Sequence, residues 1–135
     1  IHVLGKYVEA FTPNAKNNFF QTLSVWEEEK KFALDLLTKT IQHSGELVAL
    51  IEPNLKNWEM DRVAVLDLIL MKMAVCELKY FPTIPVKVSI NEYIDISKLY
   101  STPKSKDFVN GVLDKIMNQL KEKNEIKKFG RGLME

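Results

Sequence analysis

Residues 84–116 read IPVKVSINEYIDISKLYSTPKSKDFVNGVLDKI, and this stretch decides the fold. In its first half Ile84, Val88, Ile90, Ile94, Ile96 and Leu99 recur at mixed three- and four-residue spacings. Asn91, Glu92, Asp95 and Lys98 fall largely between them, as on an amphipathic helix. Pro85 suits the first turn of such a helix, where a missing N–H costs nothing. In the second half Ser101 or Thr102 supplies an N-cap and Pro103 the first helical position. Phe108, Val109, Val112, Leu113, Ile116 and Leu120 then follow at helical spacing. The reading is two helices joined by a tight polar corner that carries clustered lysines and one aromatic.

Outward from this stretch the chain reads as all-α. It has five glycines and five prolines and no long alternating run of β-branched residues. Residues 2–10 read as the end of a helix, and residues 11–23, with Pro13 and three asparagines, as a loop holding at most a short helix. Ser24 with Glu27 forms a capping box, after which Trp26, Phe32, Leu36, Leu37 and Ile41 support a helix ending near Ser44 and Gly45. A short helix from Glu46 to Ile51 stops at Pro53. Asn57 offers a cap for Trp58, and Asp61 caps or opens a long helix through Val65, Leu68, Ile69, Met71, Met73, Val75 and Leu78 that ends before Phe81-Pro82. That helix is apolar on most of its circumference, which places it at the centre of a bundle.

A chain of 135 residues fits one domain, or two small helical subdomains sharing a core, and needs no covalent staple. Its single cysteine, Cys76, cannot form an intramolecular disulfide and points to a reducing compartment, so a cytoplasmic location is expected. The longest apolar run, Val63 to Val75, is broken by Asp67 and Lys72 and falls short of the roughly 18 residues of a membrane span. The chain starts at Ile1 with no signal pattern and reads as a fragment of a longer protein. A net charge of +1 argues against a generic nucleic-acid coat, yet nine basic and only four acidic residues lie between Lys98 and Arg131.

Catalytic chemistry finds no support. His2 and His43 lie far apart without a metal-ligand spacing, Cys76 has no nearby histidine, and there is no glycine-rich phosphate loop. The expectation is a protein that is not an enzyme and needs no cofactor. The corner offers binding chemistry instead. Lys104 and Lys106 sit at a helix N-terminus, whose free N–H groups attract phosphate, and Phe108 adds an aromatic face for a base. Composition alone makes Phe108 a core anchor, and both readings stand. Asn110 reads as a structural hydrogen-bonder and Gly111 as the point where a facing helix approaches closely. Asp67 and Lys72 on the central helix need water or partners, an intramolecular ion pair being the simplest, because an unpaired buried charge is expensive. The tail KEKNEIKKFGRGLME reads as a frayed, solvated helix end that adds nonspecific affinity for RNA.

The strings VSINEYIDISKLYS (88–101) and KSKDFVNGVLDKI (104–116) resemble the C-terminal half of the NusB family of bacterial transcription antitermination factors, the second string being the more specific. The likeness runs upstream through MDRVAVLDLILMKMAVCELKYFPTIP (60–85) and more weakly to about Phe32. It implies a NusB-like helical bundle over residues 24–135, with 1–23 unassigned. It also implies a non-catalytic factor that binds single-stranded leader RNA of ribosomal RNA operons. A NusE-type small-subunit ribosomal protein would act with it in an antitermination complex on RNA polymerase. Unpaired RNA suits such a role because splayed bases can stack and be read. In that family the aromatic matching Phe108 lies at the RNA-binding surface, with Lys104 and Lys106 beside it here. The central helix lies beside the NusE surface, which makes Asp67 a candidate partner contact. Family members often carry an acidic residue at the position of Lys104 and a basic one at Asp107, so charge is rearranged at this corner. The family's arginine-rich first segment is missing; either it precedes Ile1 or this member lacks it. Two rival readings follow: an RNA-binding appendage of a ribosomal RNA cytosine methyltransferase, and a helical adaptor or homodimer without RNA binding.

Overall fold

The computed structural model describes residues 19–55 and 63–134, with side chains from Val25 onward. The readings of residues 1–18, and the caps expected at Asn57 and Asp61, lie outside the described residues. Two compact units divide the chain, Ile1–Thr38 and Lys39–Glu135. All regular structure among the described residues is helical, as the sequence predicts.

Helix α1 spans Phe19–Gln42. It begins upstream of Ser24, so the expected capping box falls inside it. Phe19, Phe20 and Leu23 extend the apolar pattern backwards, and no glycine or proline intervenes to stop the helix. Within the first unit Leu36 is buried.

In the second unit α2 (Ser44–Ile51) buries Leu47 and Ile51 and runs into a 3-10 turn, Glu52–Asn54, where Pro53 ends the α pattern. The Asn54 amide then joins a reciprocal pair with Gln119, each donating to the other at 3.0 Å. Helix α3 (Val65–Tyr80) is the expected centre. Leu70, Met71, Ala74, Val75, Cys76 and Leu78 are all buried, while its first turn leaves Val65 exposed. A clasp at its far end holds α2: the Tyr80 hydroxyl donates to Glu46 at 2.5 Å, Lys79 pairs with the same carboxylate, and His43 stacks on the Tyr80 ring at 4.2 Å. These two donors hold the Glu46 carboxyl below its ordinary value, and Glu46 in turn pushes the Tyr80 phenol up to about 12.

Helix α4 (Val86–Tyr100) follows Pro85, which serves as its N-cap. Its buried stripe differs from the expected one. Ser89, Tyr93 and Ser97 face inward at four-residue spacing, whereas Val88 and Leu99 are exposed. For Ser89 and Tyr93 the physical reason is a polar partner: α3 presents the buried Glu77, which accepts from Ser89 Oγ at 3.1 Å and from the Tyr93 hydroxyl. Burial pushes the Glu77 carboxyl above its ordinary value, against the pull of those two hydrogen bonds and of Lys128. Burial with the Glu77 charge beside it also raises the Tyr93 phenol.

Helix α5 (Ser105–Glu122) buries Val109, Val112, Leu113, Ile116 and Leu120 and packs on both α3 and α4. Its start is a correction, because Ser105 rather than Pro103 opens it and residues 103–104 form a turn. Gly111 is a second correction. A Cβ built there meets nothing within 4 Å, so among the described residues no facing helix approaches the glycine. The tail is a third, for it docks rather than frays. Lys128 Nζ donates to the carbonyls of Glu77 (3.1 Å) and Phe81 (2.8 Å) at the end of α3, where each carbonyl also accepts a backbone N–H, from Phe81 and Ile84. Phe129 N–H reaches Pro82 O, and Gly132 lies so close to Pro82 that a Cβ would sit 1.9 Å from its carbonyl oxygen.

Candidate nucleic-acid interface

The corner between α4 and α5 is held from beneath by Asp67. This carboxylate sits in the first turn of α3, is 3 % exposed, and accepts from Ser101 Oγ at 2.7 Å and Ser105 Oγ at 2.6 Å. With both serine protons committed, the Thr102 hydroxyl donates to Ser105 Oγ at 2.8 Å. The two serines, on either side of the turn, are 2.9 Å apart at their oxygens. A single buried anion therefore locks the last residue before the turn and the first residue of α5 onto the central helix.

Above this anchor Thr102, Pro103, Lys104, Lys106 and Asp107 are exposed. Lys104 and Lys106 thus stand where the sequence places them, on a fixed backbone in water. Phe108 is half-buried, between the two roles that its sequence allows, and its N–H bonds the Lys104 carbonyl at 3.3 Å. At about 100° per residue Lys104 and Phe108 share one flank of α5, while Lys106 falls about 160° away from Phe108 on the other. The corner therefore brings Lys104 and Phe108 together and sets Lys106 on its opposite side.

Asp67 calls for a correction. Named as a candidate partner contact, it points inward, its two oxygens accept from serines, and among the described residues it pairs with no lysine or arginine. An anion can be buried in this way when hydroxyl donors replace its water. Ser101 was legible only as a cap candidate, and Ser105 carried no reading of its own. The one signal of their joint role is a lone aspartate in an apolar helix together with two serines four residues apart across a turn.

Other titratable groups offer little chemistry. Burial pushes the Cys76 thiol up, away from the reactive thiolate, and among the described residues no cluster of His, Cys, Asp and Glu is arranged to hold a metal ion. No described helix is long and apolar enough to cross a membrane.

Comparison with known proteins bears on the same region. The sequence model of the NusB family matches residues 4–118, which takes in the corner and most of the first 23 residues. The transcription antitermination protein NusB of Chloroherpeton thalassium is 42 % identical over 106 residues, covering 78 % of this chain and 50 % of that protein. The same-named protein of Salinibacter ruber is 43 % identical over 105 residues, covering 78 % and 66 %. That of Listeria monocytogenes is 43 % identical over 90 residues, covering 67 % and 70 %. A solved structure of T. maritima NusB superposes with a TM-score of 0.66 at 34 % identity, over 73 % of this chain and 71 % of that one. The chain thus spans between half and about two thirds of the length of the first two relatives.

Proposed function

The chain belongs to the NusB family, and from that premise we propose that it acts as a non-catalytic, RNA-binding transcription antitermination factor in the cytoplasm. Its target is single-stranded leader RNA of ribosomal RNA operons, bound at the corner through Lys104, Lys106 and Phe108. A NusE-type ribosomal protein is its partner in the complex on RNA polymerase. The observation that carries this reading is the pinned corner: two exposed lysines and an aromatic on a backbone that Asp67 fixes before any ligand arrives. A preorganised site loses less freedom on binding. A protein partner finds apolar surface close by, since Val65 and Ile69 are 75 % and 45 % exposed on the helix whose Asp67 turns inward.

The test is titration of the chain with a single-stranded RNA oligonucleotide at several salt concentrations. Affinity falls with salt, because each neutralised phosphate releases counterions. Replacing Lys104 and Lys106 together by Glu lowers both the affinity and its salt slope and leaves Tm nearly unchanged, since exposed charges carry little stability. Binding that survives the double replacement removes the corner from the account.

A further inference from the structure

Residues 121–129 read KEKNEIKKF, and their local preference differs from the path they take. Six of the nine are lysine or glutamate, both good helix formers, and no glycine or proline occurs before Gly130. Local preference therefore continues α5 to about Lys128. Instead the helix stops at Glu122, and Asn124 turns into the left-handed region at φ 55°. Two backbone bonds close the stop, Glu125 N–H to Leu120 O at 2.9 Å and Asn124 N–H to Lys121 O at 3.1 Å, a pattern that usually takes glycine where Asn124 stands. Asparagine tolerates that backbone better than most residues, yet less well than glycine.

What holds the chain on this less favoured path lies beyond the stop. Glu125 pairs with Lys79 at 3.6 Å, Lys128 Nζ donates to the carbonyls of Glu77 and Phe81, Phe129 N–H bonds Pro82 O at 3.2 Å, and Gly132 is buried against the same proline. Lys128 is the centre of this set, because its ammonium sits at the C-terminal end of α3, where the helix dipole favours a cation. Contacts with a distant segment thus oppose a local preference, and the two pull the same residues toward different conformations.

We propose that residues 123–134 form a two-position strap hinged at Asn124. Closed, as observed, the strap clamps the last turn of α3 and the turn at Pro82. Open, Lys128 leaves the carbonyls, Asn124 returns to the right-handed region, and α5 runs on to about Lys128, longer by about 9 Å. Opening frees the end of α3 and returns the Lys128 charge to water. The strap stands on its own contacts and does not depend on the corner or on RNA.

The test follows Cα chemical shifts at residues 123–127 and amide exchange at Phe129, in the whole chain and in three variants. Lys128→Ala removes the ammonium, so exchange at Phe129 accelerates about ten-fold and the shifts move toward helical values. Asn124→Ala, which penalises the left-handed turn and favours helix, does the same with Lys128 intact. Asn124→Gly does the reverse: exchange at Phe129 slows about two-fold and the shifts stay non-helical. The Leu113 amide keeps its protection in all three, which separates opening of the strap from unfolding. A Lys128→Ala chain that loses protection at Phe129 while residues 123–127 stay non-helical has a frayed tail, and that overturns the second position. Protection unchanged in both Lys128→Ala and Asn124→Ala overturns the strap altogether.

Discussion

Asp67 on α3 and Ser105 at the start of α5 are 38 residues apart in sequence and share a buried hydrogen bond of 2.6 Å. That bond, with its companion from Ser101, makes the binding corner an extension of the hydrophobic core. Ser105→Ala leaves one oxygen of a buried carboxylate short of a donor and costs about 1–3 kcal/mol of stability. Urea denaturation measures it. A loss within experimental error contradicts the anchoring role.

Glu77 gives the fold a pH dependence of definite sign. Burial raises its folded pKa above the unfolded value, so its contribution favours folding below the unfolded pKa and is lost as pH rises through the folded one. Glu77→Gln keeps an acceptor for Tyr93 and lacks the charge. Relative to the native chain, its stability therefore improves as pH rises from about 4 to about 8. Thermal melts across that range check this, and parallel curves for the two proteins exclude it.

Gly132 tests the docked tail. With a Cβ placed 1.9 Å from the Pro82 carbonyl oxygen, Gly132→Ala forces backbone apart, and the segment around Lys128 and Phe129 leaves the end of α3. Hydrogen exchange at Phe129 and Gly132 then accelerates, while the amides of α5 keep their protection. Unchanged exchange at both residues counts against a docked tail.

Two leucines separate observed packing from sequence pattern. Leu113 is fully buried, and Leu113→Ala costs about 2–5 kcal/mol. Leu99 belongs to the apolar set expected to face inward yet is 69 % exposed, so Leu99→Ala stays within about 0.5 kcal/mol. Equal losses from chemical denaturation contradict the orientation of α4.

Periodicity made the helices and the central place of α3 legible, because a long apolar run with few charges can hardly be anything but interior. It failed on α4, where the inward face is Ser89, Tyr93 and Ser97. A hydrophobic pattern cannot reveal that the opposing surface is a buried glutamate, which only the packing of two distant segments creates. Lys104 and Lys106 were legible because exposed charge at a turn is a local property. The inward turn of Asp67 was not, since it depends on serines more than thirty residues away. The tail misled for the same reason. Its lysines look solvated until the carbonyls that Lys128 reaches, at the end of α3, are known.

The most direct measurement is a titration of isotope-labelled chain with single-stranded RNA, followed by the shifts of individual backbone amides. The account expects the largest changes between Ser101 and Phe108, with the amides of α2 unmoved. Shifts confined to the tail beyond Lys121, or no saturable change between Ser101 and Phe108, would contradict it.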